Sequence, residues 1–554
     1  MQVDNSRVQG AAFLSEQQDV FSSGADNTGS IPWVALLTLV VGAFMAILDG
    51  SIVNVALPRF MSIFGSGADE IQWIMTAYLL VSGVVVPITG YLGDRYGNKT
   101  IYIFSLAFFT VGSVLCSLAW GTDSLIATRV IQAIGGGMIM PVSMSMIFFI
   151  VPRDKIGMAL GVWGISAMAA PSIGPTLGGY LVDNFSWHFI FLINIPIGIA
   201  AIFLALAALK ETPRRKDLKP DVPGMILVTA GCFALLLALS EGQDRGWASL
   251  YIVNLLVVAV FSFILFVLWE MSVPEPLLDI RLLQNRIYTI SLIGTGILTV
   301  GLFAAIFMIP LFAQIIQGYT PMQTGLMLMP MAVTTGILMP VSGRLFDKIG
   351  ALPLCLVGLV IAAVATYQLH TITVETSFRQ LQWMLVERAI GLGLAMMPIS
   401  IAGMSTVPHF LVGRASAMGN LVRQVAASFG IAYLTYFMLH RQAEHAARMA
   451  ETVSWSSPVA LAAQQQAQGI LAQAGLSAQA GAAGVAGLFY EFIQKQAFAA
   501  GIADSFVVSA VILLAALPFV FFLGKKKVEA VREAEHRRYA RLMPGNKALP
   551  EGKV

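Results

Sequence analysis

The sequence predicts an all-α membrane protein, because it has few charged residues, long apolar blocks and basic residues clustered in the connections. Of 554 residues, 57% are hydrophobic and only 11% are charged, and the mean hydropathy is +0.78. An ordinary soluble domain carries roughly 25% charged residues, so this composition excludes a soluble enzyme. The net charge of +3 is too small to indicate nucleic-acid binding, and the apolar blocks exclude a disordered chain.

Fourteen apolar blocks are long enough to cross a bilayer as helices. A helix needs about 20 apolar residues to cross the roughly 30 Å hydrocarbon core, because lipid offers no partners to backbone N–H and C=O groups. The predicted spans are 32–55, 71–92, 100–120, 125–151, 156–181, 188–209, 223–240, 250–271, 288–315, 323–342, 351–370, 381–403, 415–438 and 501–523. The polar first 30 residues do not resemble a cleavable signal peptide.

The distribution of Lys and Arg predicts that both termini are cytoplasmic. Basic flanks are retained on the cytoplasmic side, and with the N-terminus inside, 24 of the 33 Lys and Arg residues fall there. We therefore expect a cytoplasmic tail over 1–30 and a basic cytoplasmic tail over 524–554. The long connection 440–499 is rich in Ala, Gln and Gly, and we expect it to be external and partly helical.

Two loops repeat one pattern at an offset of 253 residues, in Gly90 to Gly97 and Gly343 to Gly350. Glycine, Leu, Asp, a basic residue and Gly recur in register. Over eight spans the offset gives about 32 residues for each span with its loop. This indicates two six-helix bundles over 31–209 and 287–523, with two helices inserted within 210–286. Duplicated halves are typical of secondary transporters, whose substrate site lies between the halves.

No cofactor or metal site is expected from the sequence. Cys116, Cys232 and Cys355 each lie inside an apolar block, which is typical of packing residues rather than of a disulfide or metal framework. The chain also lacks a G-x-x-x-x-G-K-[ST] phosphate loop, so an ion gradient, worth about 2.3 kcal/mol per charge per 100 mV, is the expected energy source.

Four motifs occur in an order that is specific to one family. They are Leu48 to Pro58 in the first span, Gly90 to Lys99 in the loop after the second span, Arg129 to Gln132 in span 4 and Gly174 to Gly179 in span 5. Together they resemble the major facilitator superfamily and, within it, the EmrB/QacA-like fourteen-helix drug:proton antiporter-2 family. The resemblance implies a proton-coupled antiporter of the bacterial inner membrane that exports hydrophobic or cationic drugs by alternating access.

Asp49 and Arg129 are the main candidates for proton coupling. A charged carboxylate within a span is costly, so Asp49 is interpreted as a proton carrier or as a counter-charge for a cationic substrate; a helix-packing role is the alternative. Arg129 must face a partner or water, and the resemblance implies that it influences a nearby acid, with Asp49 as the expected partner. A snorkelling arginine is the alternative. Glu387 is a secondary proton-site candidate, and its neighbour Arg388 need not pair with it.

The repeated loop is a candidate gate. Its glycines allow a tight turn, and its aspartate can accept hydrogen bonds at a helix N-terminus, which the resemblance places near Gly413 to Ser416 in span 13. Closing this contact would favour the outward-facing state; a purely topological role for the basic residues is the alternative. The gating candidates are Gly90, Asp94, Arg95, Gly97 and, in the second half, Asp347.

Two further sets are candidates for helix packing and for substrate access. Glycines at one face of span 5 allow close helix approach, and the resemblance implies that this antiporter motif limits proton leakage. The motif residues are Gly174, Pro175, Gly178 and Gly179, and the candidate vestibule residues are Asn54, Arg423 and Gln424.

The expected partners are small hydrophobic or cationic substrates, protons and membrane lipids, with no nucleic acid. The external segment 440–499 and the resemblance also raise a periplasmic adaptor protein and an outer-membrane channel as partners. A dedicated exporter of an amino acid, siderophore or lipid is the alternative function on the same fold. A non-transporting receptor or scaffold is the alternative from another class.

Overall fold

A computed structural model of the protein describes residues 30–152, 155–273, 275–408, 411–452 and 478–541. Within these residues, every regular element is a helix. The long helices are α1 Trp33–Phe64, α2 Ala68–Tyr96, α3 Asn98–Ser117, α4 Thr122–Ile150, α5 Ile156–Asn184, α6 Phe189–Ala208, α7 Val222–Arg245, α8 Leu250–Ser272, α9 Arg286–Leu311, α10 Pro321–Ile349, α11 Ala351–Gln368, α12 Phe378–Met404, α13 Val412–Thr452, α14 Ala478–Leu514 and α15 Lys525–Arg541. Within α6, Ile193 is a one-residue interruption.

Within these ranges, twelve helices are long and apolar enough to cross a membrane, and α5 makes thirteen if its two bent parts form one span. The predicted span that does not qualify belongs to α13. This helix carries Arg414, Arg423 and Gln424, which lower its hydropathy. The count of fourteen spans and the cytoplasmic termini therefore stay predictions.

The apolar blocks underestimate the lengths of helices α13 and α14. Helix α13 continues from the predicted span 415–438 to Thr452, and α14 begins at Ala478, well before the predicted start at 501. A helix satisfies its own backbone in water as well as in lipid, so it need not end where the apolar block ends. The predicted tail residues 1–29 and 542–554, and the middle of the external connection, 453–477, lie outside the described residues.

The helices pack as two groups with a pair beside them. Helices α1–α6 contact one another, as do α9–α14, and we call them the N-terminal and C-terminal bundles. Helix α7 packs against α2 and α13, where a Cβ at Gly83 would lie 2.3 Å from Leu236 Cδ1. Helix α8 packs on α7 and exposes apolar side chains such as Phe261 and Leu265. Such a face is suited to lipid contact.

The sequence repeat is also a structural repeat. Gly97 links α2 to α3 with φ of +92°, and Gly350 links α10 to α11 with φ of +82°. L side chains rarely adopt this region, so glycine permits both sharp connections. Close helix pairs follow each turn. A Cβ at Gly112 would lie 2.4 Å from Gln132 Cα on α4, and one at Gly358 would lie 2.7 Å from Gly391 O on α12.

The two bundles meet mainly along α5 with α10 and along α2 with α13. Glycines bring α5 and α10 into backbone contact, since a Cβ at Gly343 would lie 2.0 Å from the carbonyl oxygen of Gly157. Helix α5 bends by 42° between Pro171 and Ile173, one turn before Pro175. A proline inside a helix removes a backbone hydrogen bond, which accounts for a bend here.

Candidate functional site

Asp49 and Arg129 form an ion pair inside the N-terminal bundle. Asp49 comes from α1 and Arg129 from α4, and Arg129 Nη1 lies 2.5 Å from Asp49 Oδ2. Both side chains are 0% exposed. Arg129 therefore contacts Asp49, the partner expected for it, and the arginine does not snorkel to an interface.

Two amides complete the environment of the Asp49 carboxylate. Asp49 Oδ1 accepts hydrogen bonds from Gln132 Nε2 at 2.9 Å and from Asn194 Nδ2 at 2.8 Å. Gln132 Nε2 also donates to Ser113 Oγ at 2.7 Å, and Gln132 Oε1 accepts from Arg129 Nη1 at 2.6 Å. We call Asp49, Arg129, Gln132, Asn194 and Ser113 the Asp49 cluster. Four helices, α1, α3, α4 and α6, contribute to it.

Local helix geometry explains how α4 supplies two members of the cluster. Arg129 and Gln132 are three residues apart, so their side chains emerge from the same face of the helix. The guanidinium Cζ of Arg129 also lies 4.1 Å from the centre of the Tyr78 ring of α2. This cation–π contact holds the group in a dry, aromatic environment.

The Asp49 cluster is closed to solvent and substrate in this conformation. Asp49, Arg129, Gln132 and Asn194 all have 0% exposure. Asp49 therefore cannot contact a substrate in this conformation. Its protonation would change its partners, because an O–H group donates where the carboxylate oxygen now accepts.

The fourth helix of the C-terminal bundle also carries a buried arginine, as the fourth helix of the N-terminal bundle does, but the structure pairs it differently. Arg388 of α12 is 0% exposed, and its Nε donates to Thr366 Oγ1 at 3.0 Å while its Nη2 donates to the carbonyl of Gly301. Glu387, the secondary proton-site candidate, has an exposed side chain. The structure therefore does not bring Glu387 together with Arg388 or with the Asp49 cluster.

The predicted gate joins the two bundles through an ion pair. Arg414 Nε of α13 lies 3.2 Å from Asp94 Oδ2 of α2, with side-chain exposures of 5% and 14%. A Cβ at Gly90 would lie 3.2 Å from both Arg414 Cα and Gly413 O, so α2 and α13 approach closely here. This is the helix end implied by the resemblance. We call the Asp94–Arg414 pair the latch.

The other loop candidates contact different partners. Arg95 Nη1 donates to Tyr91 OH at 2.6 Å and to Leu218 O at 2.8 Å, which fastens the segment before α7 to α2. Gly97 forms the turn described above. In the second half, Asp347 lies beside the start of α5, since a Cβ at Gly157 would be 2.9 Å from Asp347 Oδ1. Each bundle thus places an aspartate near the start of a helix of the other bundle.

The span 5 motif packs α5 on α1 next to Asp49. A Cβ at Gly174 would lie 1.9 Å from Ser51 Oγ, and one at Gly178 would lie 3.1 Å from Ile52 O. A Cβ at Gly179 would meet nothing within 4 Å. In this conformation Gly174 leaves no room for a side chain, Gly178 leaves little, and Gly179 has open space.

The three vestibule candidates are not grouped together. Arg423 Nη2 donates to Asn420 Oδ1 at 2.8 Å and contacts Met144 Sδ of α4 at 3.5 Å, so it bridges the bundles. Gln424 lies near Gly83, where a Cβ would be 3.7 Å from its Cγ. Asn54, by contrast, is exposed on α1.

Three functional candidates were not singled out from the sequence. Gln132 ends the span 4 motif and Asn194 lies inside the predicted span 188–209, and a polar residue inside an apolar span is itself a signal of function. Arg414 stands at the predicted contact site of Asp94, but its role as the ionic partner required the fold.

Comparison with protein families identifies the class. The family model described as Major Facilitator Superfamily matches residues 39–431. The chain therefore belongs to this superfamily of transporters, in agreement with its duplicated bundles and the latch between them. It is a multi-pass protein of the bacterial inner membrane that moves small solutes, and it is not an enzyme.

Individual relatives cover most of the chain. It is 31% identical to the uncharacterized MFS-type transporter YhcA of Bacillus subtilis (strain 168), over 96% of this chain and 100% of that protein. It is 31% identical to the probable multidrug resistance protein EmrY of Escherichia coli (strain K12), over 79% and 86%. It is 29% identical to the multidrug export protein EmrB of the same organism, over 88% and 94%.

Solved structures show the same fold at low sequence identity. The proton:xylose symporter XylE, solved with 6-bromo-6-deoxy-D-glucose, matches with a TM-score of 0.57 at 13% identity, over 91% of this chain and 99% of that chain. The human organic anion transporter MFSD10 matches with a TM-score of 0.54 at 11% identity, over 89% and 100%.

Proposed function

We propose that this protein is a proton-coupled antiporter that exports hydrophobic and cationic drugs by alternating access. The observation that carries the proposal is the Asp49 cluster, a fully buried acid held by a permanently charged arginine. Intramembrane ionisable groups mark proton or substrate pathways in transporters. The similarity to EmrB and EmrY, named for multidrug export and resistance, supports the substrate class.

Coupling follows from a change of partner at Asp49. A proton that binds Asp49 removes the charge that now balances Arg129. An uncompensated buried arginine is costly, so the N-terminal bundle must repack or admit water. A drug that binds more tightly to one of the two arrangements then changes the affinity of Asp49 for its proton. The proton changes the affinity for the drug by the same factor, since binding linkage is reciprocal.

The latch would convert that repacking into movement of the bundles. The pair Asp94–Arg414 and the glycine contact Gly157–Gly343 both join the bundles. With the predicted topology these contacts lie at the cytoplasmic end. Their closure corresponds to an outward-facing or closed state, and their separation to an inward-facing one.

The helices that flank the predicted external connection support a proposal about partners as well. Helix α13 extends to Thr452 and α14 starts at Ala478, so both continue beyond their predicted spans. We propose that these extensions contact a periplasmic adaptor protein that leads to an outer-membrane channel. Co-purification of the adaptor that is lost on shortening both extensions would test this contact.

The main test measures protons directly. Wild-type protein and Asp49→Asn are reconstituted into liposomes that enclose a pH-sensitive dye, and tetraphenylphosphonium is added as a cationic hydrophobic probe. We expect the probe to drive proton movement in wild type and not in Asp49→Asn. Asp183→Asn makes the same chemical change at an exposed acid and should retain coupling. Normal coupling in Asp49→Asn would contradict the role of Asp49.

Folding and substrate choice need separate controls. The double variant Asp49→Asn with Arg129→Met removes both charges, so a folded but uncoupled double variant separates coupling from stability.

A panel of unrelated dyes and toxic compounds in a pump-deficient host addresses the alternative function, since a dedicated metabolite exporter would protect against few or none. Proton-driven flux of any substrate would exclude a non-transporting receptor.

A further inference from the structure

A groove on the C-terminal bundle lies apart from both the Asp49 cluster and the latch. It has a volume of about 560 Å³ and lies between the start of α9 and the residues at and before α15. Its lining combines two cations with mostly apolar side chains: Leu283, Arg286, Ile287, Thr289, Ile290, Phe522, Lys527, Ala530 and Val531.

The two cations of this groove have no acidic partners among the residues that the structure describes. Arg286 and Lys527 are both exposed, and in the described part of the chain neither forms an ion pair. The Lys527 ammonium lies 5.3 Å from the centre of the Phe522 ring. The other polar lining group is occupied, because Thr289 Oγ1 donates to Leu283 O at 2.7 Å. The positive charge of the groove is therefore available to an anion.

The groove lies beside the ends of two candidate membrane spans. One span runs from Arg286 to Ile316, and another ends at Val520, just before Phe522. In a bilayer, the phosphates of a phospholipid lie level with the ends of spanning helices, and its acyl chains lie beside the apolar residues of those helices. Basic clusters directly after a transmembrane helix are typical sites for anionic lipids.

We propose that the groove binds the headgroup of an anionic phospholipid, with its phosphate at Arg286 and Lys527. A lipid is favoured over free phosphate because six of the nine lining residues are apolar and would gain nothing from a free ion. The bound lipid would fasten α15 to α9, the first helix of the C-terminal bundle. This binding does not depend on the proposed transport function.

The test compares the full-length protein with Arg286→Gln/Lys527→Gln. Native mass spectrometry of protein released from micelles that contain phosphatidylglycerol and phosphatidylcholine measures the preference for the anionic lipid. We expect a loss of preference of about 30-fold in the double variant, and about 5-fold in Lys527→Gln alone. The control Lys526→Gln/Arg537→Gln removes the same charge from α15 outside the lining and should keep the wild-type preference.

Charge-retaining variants and a competitor complete the design. The exchange Arg286→Lys/Lys527→Arg should bind phosphatidylglycerol as wild type does, and its melting temperature should be unchanged. An equal loss in the control variant would overturn the site in favour of diffuse surface charge. Displacement of phosphatidylglycerol by millimolar inorganic phosphate would overturn the lipid assignment, and so would wild-type preference in the double variant.

Discussion

At the scale of single residues, burial determines how Asp49 and Arg129 depend on each other. Both side chains are fully buried, so neither charge contacts water. Each contacts the opposite charge, and Asp49 also accepts hydrogen bonds from two side-chain amides. Breaking a buried pair by removing one partner typically costs about 3–5 kcal/mol, whereas removing both charges costs much less. The pair is therefore a unit in stability as well as in the proposed coupling.

Removing one charge should be worse than removing both. We expect Asp49→Asn to lower the free energy of unfolding by about 3–5 kcal/mol, and the added Arg129→Met substitution to restore a large part of it. Thermal melting of the four proteins of the double-mutant cycle measures the interaction. Additive effects of the two substitutions would show that Arg129 does not depend on Asp49.

Arg388 provides the matched comparison for Arg129. Arg388 donates to the hydroxyl of Thr366 and to the carbonyl of Gly301, so its removal leaves neither of these contacts with an unpaired carboxylate. We expect Arg388→Met to lower the melting temperature less than Arg129→Met does, since the latter leaves Asp49 buried without a cation. Equal losses, measured in the same detergent, would show that desolvation outweighs the ion pair.

At the scale of helices, the contact between α5 and α10 is set by the absence of side chains. A Cβ at Gly343 would lie 2.0 Å from Gly157 O, and a backbone atom cannot move without moving its helix. At Gly336 of α10, a Cβ would lie 3.6 Å from Ile165 Cγ2, an ordinary contact. The same substitution should thus have different effects at two positions of one helix.

Gly343→Ala should separate α5 from α10 near Gly157, whereas Gly336→Ala should not separate the two helices. Spin labels at Lys219, on the segment before α7, and at Lys348, at the end of α10, report the separation. We expect the Gly343→Ala distance distribution to shift to longer values and transport to fall, with Gly336→Ala unchanged. An unchanged distribution in Gly343→Ala would mean that the contact is not needed to close this end.

For the helices, the sequence predicted the positions and the two glycine turns but not the full lengths. Apolar blocks predicted where the helices lie, and the Gly97 and Gly350 turns follow from the repeat. The continuation of α13 past residue 438 to Thr452 could not be predicted, because hydropathy reports lipid contact and not backbone hydrogen bonding.

Some features of the candidate site can likewise be predicted from the sequence, whereas others depend on how the helices pack. The spacing of Arg129 and Gln132 on one helix face is readable from the sequence. The approach of Asn194 to Asp49 across 145 positions is not, because it depends on how α6 packs against α1. Exposure of Glu387 likewise depends on the rotation of α12, which residue type alone does not determine.

At the scale of the whole molecule, the two bundles make related contacts across their interface. Asp94 of α2 meets the start of α13, and Asp347 of α10 lies beside the start of α5. Only small changes at these contacts are needed to favour another arrangement, because about 1.4 kcal/mol changes a population ratio tenfold. The latch is therefore the place at which a single charge should alter the conformation of the whole protein.

Reversing one charge of the latch should separate the two bundles at the latch, and reversing both charges should bring the bundles together again. Asp94→Arg places two cations where the pair was 3.2 Å apart, and Arg414→Asp places two anions there. Like charges so placed cost several kcal/mol, enough to shift the population of states by more than 30-fold. We expect labels at Lys219 and Lys348 to move apart in each single variant and to return in the double exchange. Asp244→Arg, an exposed reversal on α7, should leave the distances unchanged.

The double exchange separates attraction from shape at the interface. If the ion pair itself holds the bundles together, the exchanged pair restores closure because the attraction does not depend on which helix carries which sign. If Asp94 acts instead by accepting hydrogen bonds from the start of α13, arginine cannot replace it and the exchange stays open. Proton-coupled transport measured on the same proteins then shows whether closure at this end is required for each cycle, since a permanently open variant would bind substrate without exporting it.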